Sequence, residues 1–282
     1  MRSTRLKGLI VLIIILTFSG CSRTRLAYNH LDLFLFWKFD DYISLDNDQK
    51  DRVKQQLQFF LQWHRKEQLP RYIQFVEQTQ KNTQTKMTAD HFQQHFTTIE
   101  GFLSDIMIQI EPDITQLLFQ LNRKKQKELF KNISEKQKRL EKKYLKLNQG
   151  EYRQKRVKRT EKILKRFLGR LTAEQKKTLA DWTDSLVPSR KLWLENRRNW
   201  QTQFQKLLRE KTSNTIKRKE LKLLLIHPEQ FSSSEYQKTL RQNQLAHFSM
   251  LATIQQQLTE KQKKHLKKEW AKIKADLVSL SN

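Results

Sequence analysis

The sequence predicts an all-α fold, an elongated bundle of long amphipathic helices. Three observations lead to this prediction. Only five glycines and four prolines occur in 282 residues, no Asn-Gly or Asp-Gly hairpin turn is present, and apolar residues recur three and four positions apart. Leu129, Ile133, Leu140 and Tyr144 form one such stripe among Lys, Arg and Gln residues. Narrow stripes of this kind are typical of helices that pack against a few neighbours.

The first twenty residues have the pattern of a secretory signal peptide. Arg2, Arg5 and Lys7 form a basic head, residues 9–16 are aliphatic, and small residues precede Cys21. The apolar run is about half of the roughly 20 residues that span a bilayer. An ordinary signal or an uncleaved anchor, with an incidental cysteine, is the alternative interpretation.

The residues around Cys21 resemble a bacterial lipobox. The resemblance implies cleavage before Cys21, attachment of lipid to its thiol, and a mature protein anchored to a membrane by acyl chains. The residue after the cysteine is Ser22 and not Asp. A serine at this position is typical of lipoproteins that are sorted to the outer membrane and face the periplasm. Cys21 is also the only cysteine, so internal disulfides, thiolate metal sites and catalytic thiols are excluded.

The charge is strongly positive and unevenly distributed. Lys and Arg number 56 against 29 Asp and Glu, a net charge of +27. Residues 123–170 hold 20 basic and 5 acidic residues, so 20 − 5 = +15 lies in this stretch. Nucleic acid would be the usual partner of such a surface, but export argues against it. We therefore expect an anionic envelope component or an acidic client protein, with a merely solvated face as the alternative.

The predicted contact residues lie on this basic stretch. They are Arg123, Lys124, Lys125, Lys142, Lys143, Arg153, Arg156, Arg159, Lys162 and Arg166.

The expected helix boundaries follow from the residues that interrupt helices. Helix ends are expected near Pro70, Pro112, residues 148–150, Pro188 and Pro228. An antiparallel pair is expected from residues 24–42 and 48–68. The apolar residues 31–39 are predicted to be core, with an interfacial helix lying on a bilayer as the alternative.

One capping pattern recurs four times, at Leu45-Asp46-Asn47-Asp48-Gln49, Ile133-Ser134-Glu135-Lys136-Gln137, Leu171-Thr172-Ala173-Glu174-Gln175 and Leu258-Thr259-Glu260-Lys261-Gln262. The Asp, Ser or Thr caps a helix, and the Gln three residues later reaches back to the cap amide. The copies are 88 and 87 residues apart within each pair. Residues 21–282 are thus predicted to be one helical domain, in which residues 22–148 and 151–282 are related halves unless a common cap recurs by chance.

Two resemblances follow from these motifs. Leu171-Thr172…Gln175 and Leu258-Thr259…Gln262 resemble the Leu-Thr-x-x-Gln motif of small helical periplasmic chaperones, which implies binding of unfolded clients. A longer resemblance is to a lipoprotein family of gram-negative bacteria without an assigned reaction. It is carried by Cys21-Ser22, Tyr28-Asn29, Asp32, Trp37, Asp40-Asp41-Tyr42, Leu45, Gln49, Trp63-His64-Arg65 and Leu69-Pro70-Arg71-Tyr72.

A catalytic role is not expected, and no cofactor or bound metal is predicted. The sequence lacks Gly-x-Ser-x-Gly, a phosphate-cradling glycine loop and His-Glu-x-x-His. A polar cluster of Asp40, Asp41, His64, Arg65 and Arg71 is the main candidate for another kind of site, with helix-helix salt bridges as the simpler explanation. The alternative function is an enzyme or metalloprotein centred on His64, or on His91 and His95, which lie four apart on one helix face.

Overall fold

The computed structural model describes residues 28, 30–210 and 213–281, and this part of the chain is all-α, as predicted. The proposed signal and Cys21 lie outside the described residues. The α-helices are α1 (Leu31–Asp40), α2 (Asn47–Trp63), α3 (Leu69–Asn82), α4 (Ala89–Phe119), α5 (Arg123–Leu145), α6 (Gln149–Leu168), α7 (Ala173–Ser185), α8 (Arg190–Arg209), α9 (Asn214–Ile226), α10 (Ser234–Gln256) and α11 (Glu260–Ser281).

Helices α1 and α2 pack side by side as a hairpin. Asp46 caps α2 by accepting a hydrogen bond from the amide of Gln49, and the Gln49 side chain accepts one from the amide of Asp46. At the other end, the hydroxyl of Tyr28 and Nδ1 of His64 are hydrogen-bonded at 2.9 Å. The expected antiparallel pair is therefore formed.

The chain does not break at Pro70. A π-helical turn, His64–Gln68, follows α2 directly and leads into α3, with Pro70 in the first turn of the new helix. The wider turn accommodates a residue that has no amide hydrogen to donate, so the helical path continues instead of ending.

Pro112 also lies inside a helix, which corrects the predicted break there. Helix α4 runs through it for 31 residues. Proline removes the hydrogen bond to the carbonyl of Ile108, and the Ile108 side chain is half exposed, so this helix face lies open to water. Phe102 and Leu118 are buried on either side of the proline and hold both segments against the core.

The capping motif at Ser134 does not begin a helix, which corrects another prediction. Ser134 lies in the middle of α5, which begins at Arg123 and is capped by Asn122. The residues between Arg123 and Ile133 are strong helix formers with no Gly or Pro, so nothing ends the helix before the serine. The second cap of the N-terminal half is therefore Leu121-Asn122-Arg123-Lys124-Lys125, with Lys where the motif has Gln.

The capped helix starts meet in pairs. Lys125 Nζ at the start of α5 donates to Gln49 Oε1 (2.5 Å) and to Asp46 Oδ2 (2.8 Å) at the start of α2. At the start of α7, Gln175 likewise meets Gln262 at the start of α11. The capping glutamines are buried, so the motif builds contacts between helices as well as ending them.

The apolar core joins the two ends of the chain. Helix α11 makes its most extensive contacts with α3, and the shared cluster contains Leu69, Val76, Ile273 and Leu277. A second cluster joins α2, α4, α5, α8 and α9, and a third joins α6, α7, α10 and α11. The described parts of residues 22–148 and 151–282 thus share the first two clusters, whereas the third lies within residues 151–282.

Candidate functional site

Helix α5 has a basic surface that the protein itself does not neutralise. It contains ten Lys or Arg and three Glu. All three acids are engaged: Glu128 accepts from Ser44, Glu141 accepts from Arg198, and Glu135 pairs with Arg139 one turn away. The Arg198 guanidinium lowers the pKa of Glu141, which fixes this carboxylate in its ionised form.

The remaining charge is concentrated on one exposed line of lysines. We define the lysine stripe as Lys124, Lys127, Lys131, Lys138 and Lys142, all of them exposed. At 3.6 residues per turn, these five positions fall within about 60° of one another and extend along roughly 27 Å of helix. No side chain of the five forms an ion pair or hydrogen bond with another residue of the described chain. The stripe is therefore available for an external anion.

The opposite side of α5 explains why the stripe faces outward. Leu129 and Phe130 are buried against Phe204 and Leu207 of α8. Gln137, also buried, donates to the carbonyl of Leu194. Packing against α8 thus fixes the rotation of α5, and the lysines lie on the side away from that contact.

The ten contact residues chosen from the sequence divide into two groups. Six are exposed and form no ion pair within the described chain: Arg123, Lys124, Lys142, Lys143, Arg159 and Lys162. The other four make structural contacts, namely Lys125 with Asp46, Arg153 with Asp184, Arg156 with Tyr152, and Arg166 in the field of Glu269 and Asp276. Charge density in the sequence did not separate these groups, because both occur in the same basic run.

Three stripe residues were missed by sequence reasoning. Lys127, Lys131 and Lys138 lie in the same register as Lys124 and Lys142, at intervals of three, four and seven residues. The signal was helical periodicity among the lysines themselves, in phase opposite to Leu129, Ile133 and Leu140.

The predicted polar cluster is divided between the two ends of the α1–α2 hairpin. Asp40 is exposed, and Asp41 at the turn pairs with Lys38 and Lys136. His64 lies at the far end, beside Tyr28. The hairpin geometry therefore separates the carboxylates from the imidazole, and no acid–base pair arises from Asp41 and His64.

His64 is buried in an aromatic environment. Its ring lies against Tyr28, Phe60 and Tyr72, and burial lowers its pKa to about 4, with a further contribution from neighbouring Arg65. Burial raises the pKa of the Tyr28 hydroxyl to about 12. Both groups are consequently neutral near pH 7, and their hydrogen bond joins the chain before α1 to the π-helical turn.

Arg65 in the π-helical turn and Arg71 near the start of α3 both pack against the surroundings of His64. The Arg65 guanidinium is 5.3 Å from the centre of the Tyr28 ring. Arg71 Nη1 donates to Asp105 Oδ2 on α4 at 2.5 Å and covers the Phe102 ring at 5.3 Å. These contacts tie α3 to α4 and to the residue before α1, as the simpler explanation of the cluster anticipated.

His91 and His95 have separate local partners. His91 Nδ1 accepts from the amide of Thr88 at the start of α4. His95 Nε2 is hydrogen-bonded to the Asn82 side chain at 3.1 Å, and burial lowers its pKa. Within residues 28, 30–210 and 213–281, no group of three or more His, Cys, Asp or Glu side chains is arranged to hold a metal ion.

A groove of about 390 Å³ lies between α4 and α10. Phe96, Phe248 and Leu240 form its apolar part, and Gln93 and Arg241 are among its polar groups. The groove could accept a small ligand, and Glu100, Glu229 and Ser232 also line it.

A protein family matches residues 41–237, more than half of the 282 residues. It is described as a family of unknown function, DUF6279. The chain belongs to this family. The predicted membership in a family without an assigned reaction is confirmed, and the DUF6279 match covers α2 to α9 and the lysine stripe. No curated protein and no solved structure matches the chain. Among the helices described, none has both the length and the apolar character needed to cross a membrane.

Proposed function

We propose that the protein is a non-catalytic binding protein of the bacterial cell envelope. It is anchored by lipid on Cys21, at the outer membrane and facing the periplasm, and it holds an anionic partner on the lysine stripe. The anchor is supported by the basic head, the short aliphatic run and the small residues before Cys21. The sorting to the outer membrane is supported by Ser22.

The observation that carries the binding function is the lysine stripe without internal partners. Like charges one turn apart on a helix destabilise it by about 0.2–0.5 kcal/mol per pair. An anion that lies along the stripe removes this repulsion and gains attraction from several lysines together. Each lysine near an anionic surface contributes about 1 kcal/mol.

An extended anionic surface fits the stripe better than an unfolded client does. The stripe is straight, roughly 27 Å long, and its five positions are all lysine. The exposed apolar residues Leu145 of α5 and Ile163 of α6 lie outside the stripe. Client binding of the chaperone type needs apolar contact as well as charge. The Leu-Thr-x-x-Gln motifs do not supply it, because their apolar residues, Leu171 and Leu258, are buried.

The test compares two triple variants of equal charge. In the first, Lys127, Lys131 and Lys138 of the stripe are replaced by Glu. In the matched control, Lys261, Lys264 and Lys268, which are exposed on α11, are replaced by Glu. The lipidated protein in detergent is sedimented with lipopolysaccharide aggregates, with purified cell wall, or with an acidic test protein that has been unfolded by reduction of its disulfides.

We expect salt-sensitive binding to lipopolysaccharide or cell wall. The stripe variant should bind at least about tenfold more weakly, since three charges of about 1 kcal/mol each are reversed, and the control variant should bind as the wild type does. Equal loss in both variants would indicate unspecific charge attraction. Unchanged binding in the stripe variant would refute the proposal, and binding to the test protein alone would favour a chaperone. Replacement of Cys21 by Ser should release the protein from the membrane fraction.

A further inference from the structure

Helix α1 is apolar but buries none of its residues completely. Trp37 is 74% exposed, Leu33 57% and Phe34 49%. Leu31, Phe36 and Phe39 on the other side pack partly against neighbouring core residues. The prediction that residues 31–39 form core is therefore wrong for the outer face of this helix. The reason is that α1 contacts α2 along one side only.

Helix α2 has a further exposed apolar side chain, but on another side of the hairpin. Phe59 is 70% exposed. The register of the hairpin follows from two contacts: Tyr28 with His64, and Lys54 with the Phe36 ring. Phe59 is five residues from Lys54, about 140° around α2, so it lies away from α1. We define the apolar face as Leu33, Phe34 and Trp37 of α1.

Paired charges border the apolar face. Lys38 lies over the Phe34 ring and Lys54 over the Phe36 ring, each at 5.7 Å from the ring centre. Both lysines also form ion pairs, Lys38 with Asp41 and Lys54 with Asp51. Exposed aromatic and aliphatic residues on one side of a helix are typical of helices that lie in a membrane interface, where Trp favours the level of the lipid headgroups. Patches of this kind are uncommon on monomeric soluble surfaces.

The chain before α1 is held firmly to the body. Tyr28 is only 2% exposed, its hydroxyl is bound to His64, and Arg65 covers its ring. Cys21 precedes Tyr28 by seven residues, which span at most about 25 Å when fully extended. A lipid on Cys21 therefore keeps Tyr28, just before α1, within about 25 Å of the bilayer. Of the described surface, the hairpin is the part closest along the chain to the anchor.

We propose that the apolar face inserts into the interface of a phospholipid bilayer and seats the protein on the membrane beside its anchor. This inference rests on the proposed lipidation of Cys21. A body seated in this way has a fixed orientation, whereas a body attached by lipid alone would rotate on its tether. The bilayer is the occupant that the short connection to Cys21 and the exposed Trp37 favour.

The experiment uses the lipidated full-length protein in vesicles of phosphatidylethanolamine and phosphatidylglycerol. Because Cys21 is the only cysteine and is blocked by lipid, Phe34→Cys provides a unique thiol for a nitroxide label. Leu245→Cys on α10, an exposed position on the body, is the matched control. Label depth is measured from the relative access of oxygen and of a water-soluble relaxation agent, and the mass of the N-terminal peptide reports the lipid.

If the inference is correct, the label at position 34 is shielded from the water-soluble agent and accessible to oxygen, and the label at position 245 has the opposite behaviour. A lipidated, vesicle-bound protein with a water-exposed label at position 34 would overturn the inference and leave the proposed anchor intact. A protein without lipid that nevertheless binds vesicles through a shielded position 34 would support the inference and refute the anchor. Absence from vesicles altogether would overturn both.

Two further measurements test whether the bilayer, and no second copy of the chain, covers the apolar face. Shielding of position 34 in the absence of vesicles would show that a second copy of the chain covers the face, and would overturn the bilayer as occupant. Brominated lipids in the vesicles should quench part of the native tryptophan fluorescence, and Trp37→Phe should abolish that part. Quenching that is the same in Trp37→Phe would contradict insertion of this face.

Discussion

The side-chain amides of Gln175 and Gln262 hydrogen-bond to each other in both directions, with both nitrogen–oxygen distances at 2.9 Å. Each amide nitrogen also donates to a backbone carbonyl before the other motif, that of Gln257 or Arg170. Each amide oxygen accepts from the amide of its own cap, Thr172 or Thr259. The two motifs are therefore related by an approximate two-fold axis between the glutamines.

Replacing one glutamine of this pair leaves the other unsatisfied in the core. Gln175→Leu should lower the free energy of unfolding by about 2–3 kcal/mol, because an unpaired buried amide costs about 1–3 kcal/mol and a cap contact is also lost. Chemical denaturation measures this loss. The double variant with Gln262→Leu should cost less than the sum of the two single losses. Gln154→Leu, on the exposed side of α6, should change stability by less than about 0.5 kcal/mol.

The related site at α2 and α5 predicts which substitutions Lys125 tolerates. Lys125→Gln places an amide where the C-terminal half has Gln262, so it can still donate to Gln49. Lys125→Met has a similar length but no donor. We expect Lys125→Met to be less stable than Lys125→Gln by about 1 kcal/mol, the net value of one hydrogen bond. Equal thermal stability of the two variants would show that the two sites are not equivalent.

Burial of His64 predicts a loss of stability in acid. Its pKa is lowered to about 4 in the folded protein, whereas in the unfolded chain a histidine has a pKa of about 6.5. Between these values the unfolded state binds the proton more readily. The stabilising contribution is therefore complete above pH 6.5 and is lost as the pH falls towards 4. At about 1.4 kcal/mol per pKa unit, it amounts to about 3 kcal/mol.

The measurement is the difference in unfolding free energy between the wild type and His64→Phe, from pH 7 to pH 4. This difference should change steadily in favour of the variant as the pH falls. His30→Gln, an exposed replacement just before α1, should run parallel to the wild type. Parallel curves for His64→Phe and the wild type would contradict a buried neutral imidazole.

Gly169 and Gly101 predict opposite responses to alanine. Gly169, after α6, has a φ of 75°, and a Cβ there would meet no atom within 4 Å. Alanine is strained by the backbone alone, so Gly169→Ala should cost about 1–2 kcal/mol. Gly101 lies within α4, also with free space, and Gly101→Ala should stabilise by about 0.5–1 kcal/mol. Thermal unfolding of the two variants, compared with the wild type, measures both shifts.

The helical class and several helix starts could be read from the sequence because they depend on local chemistry. Asp46 and Thr172 cap helices as predicted, since a short polar side chain and a glutamine three residues later are sufficient. Ser134 has the same local pattern but lies within α5, because a cap also requires the preceding residues to be non-helical. Pro70 and Pro112 were wrong as breaks for a related reason, because tertiary packing compensates for one missing hydrogen bond.

The exposed residues of the candidate surfaces could not be predicted fully, because exposure depends on contacts between helices that are distant in the chain. Lys125 and Lys124 are neighbours in the same basic run, yet Lys125 is a partner of Asp46 and Lys124 is exposed. Their difference arises from the position of α2, which is distant in the chain. The outer face of α1 was likewise misjudged, because the number of helices that cover an apolar segment is a property of the fold.

Because α11 packs on α3, the steps of folding have a required order. Leu69 and Val76 are buried by Ile273 and Leu277, which belong to the last 22-residue helix. The N-terminal half consequently remains incomplete until α11 is available, and this core is completed only when α11 packs on α3. Such long-range closure is slow relative to local helix formation. A chain shortened by this one helix would lose the cover of a core that begins more than two hundred residues earlier.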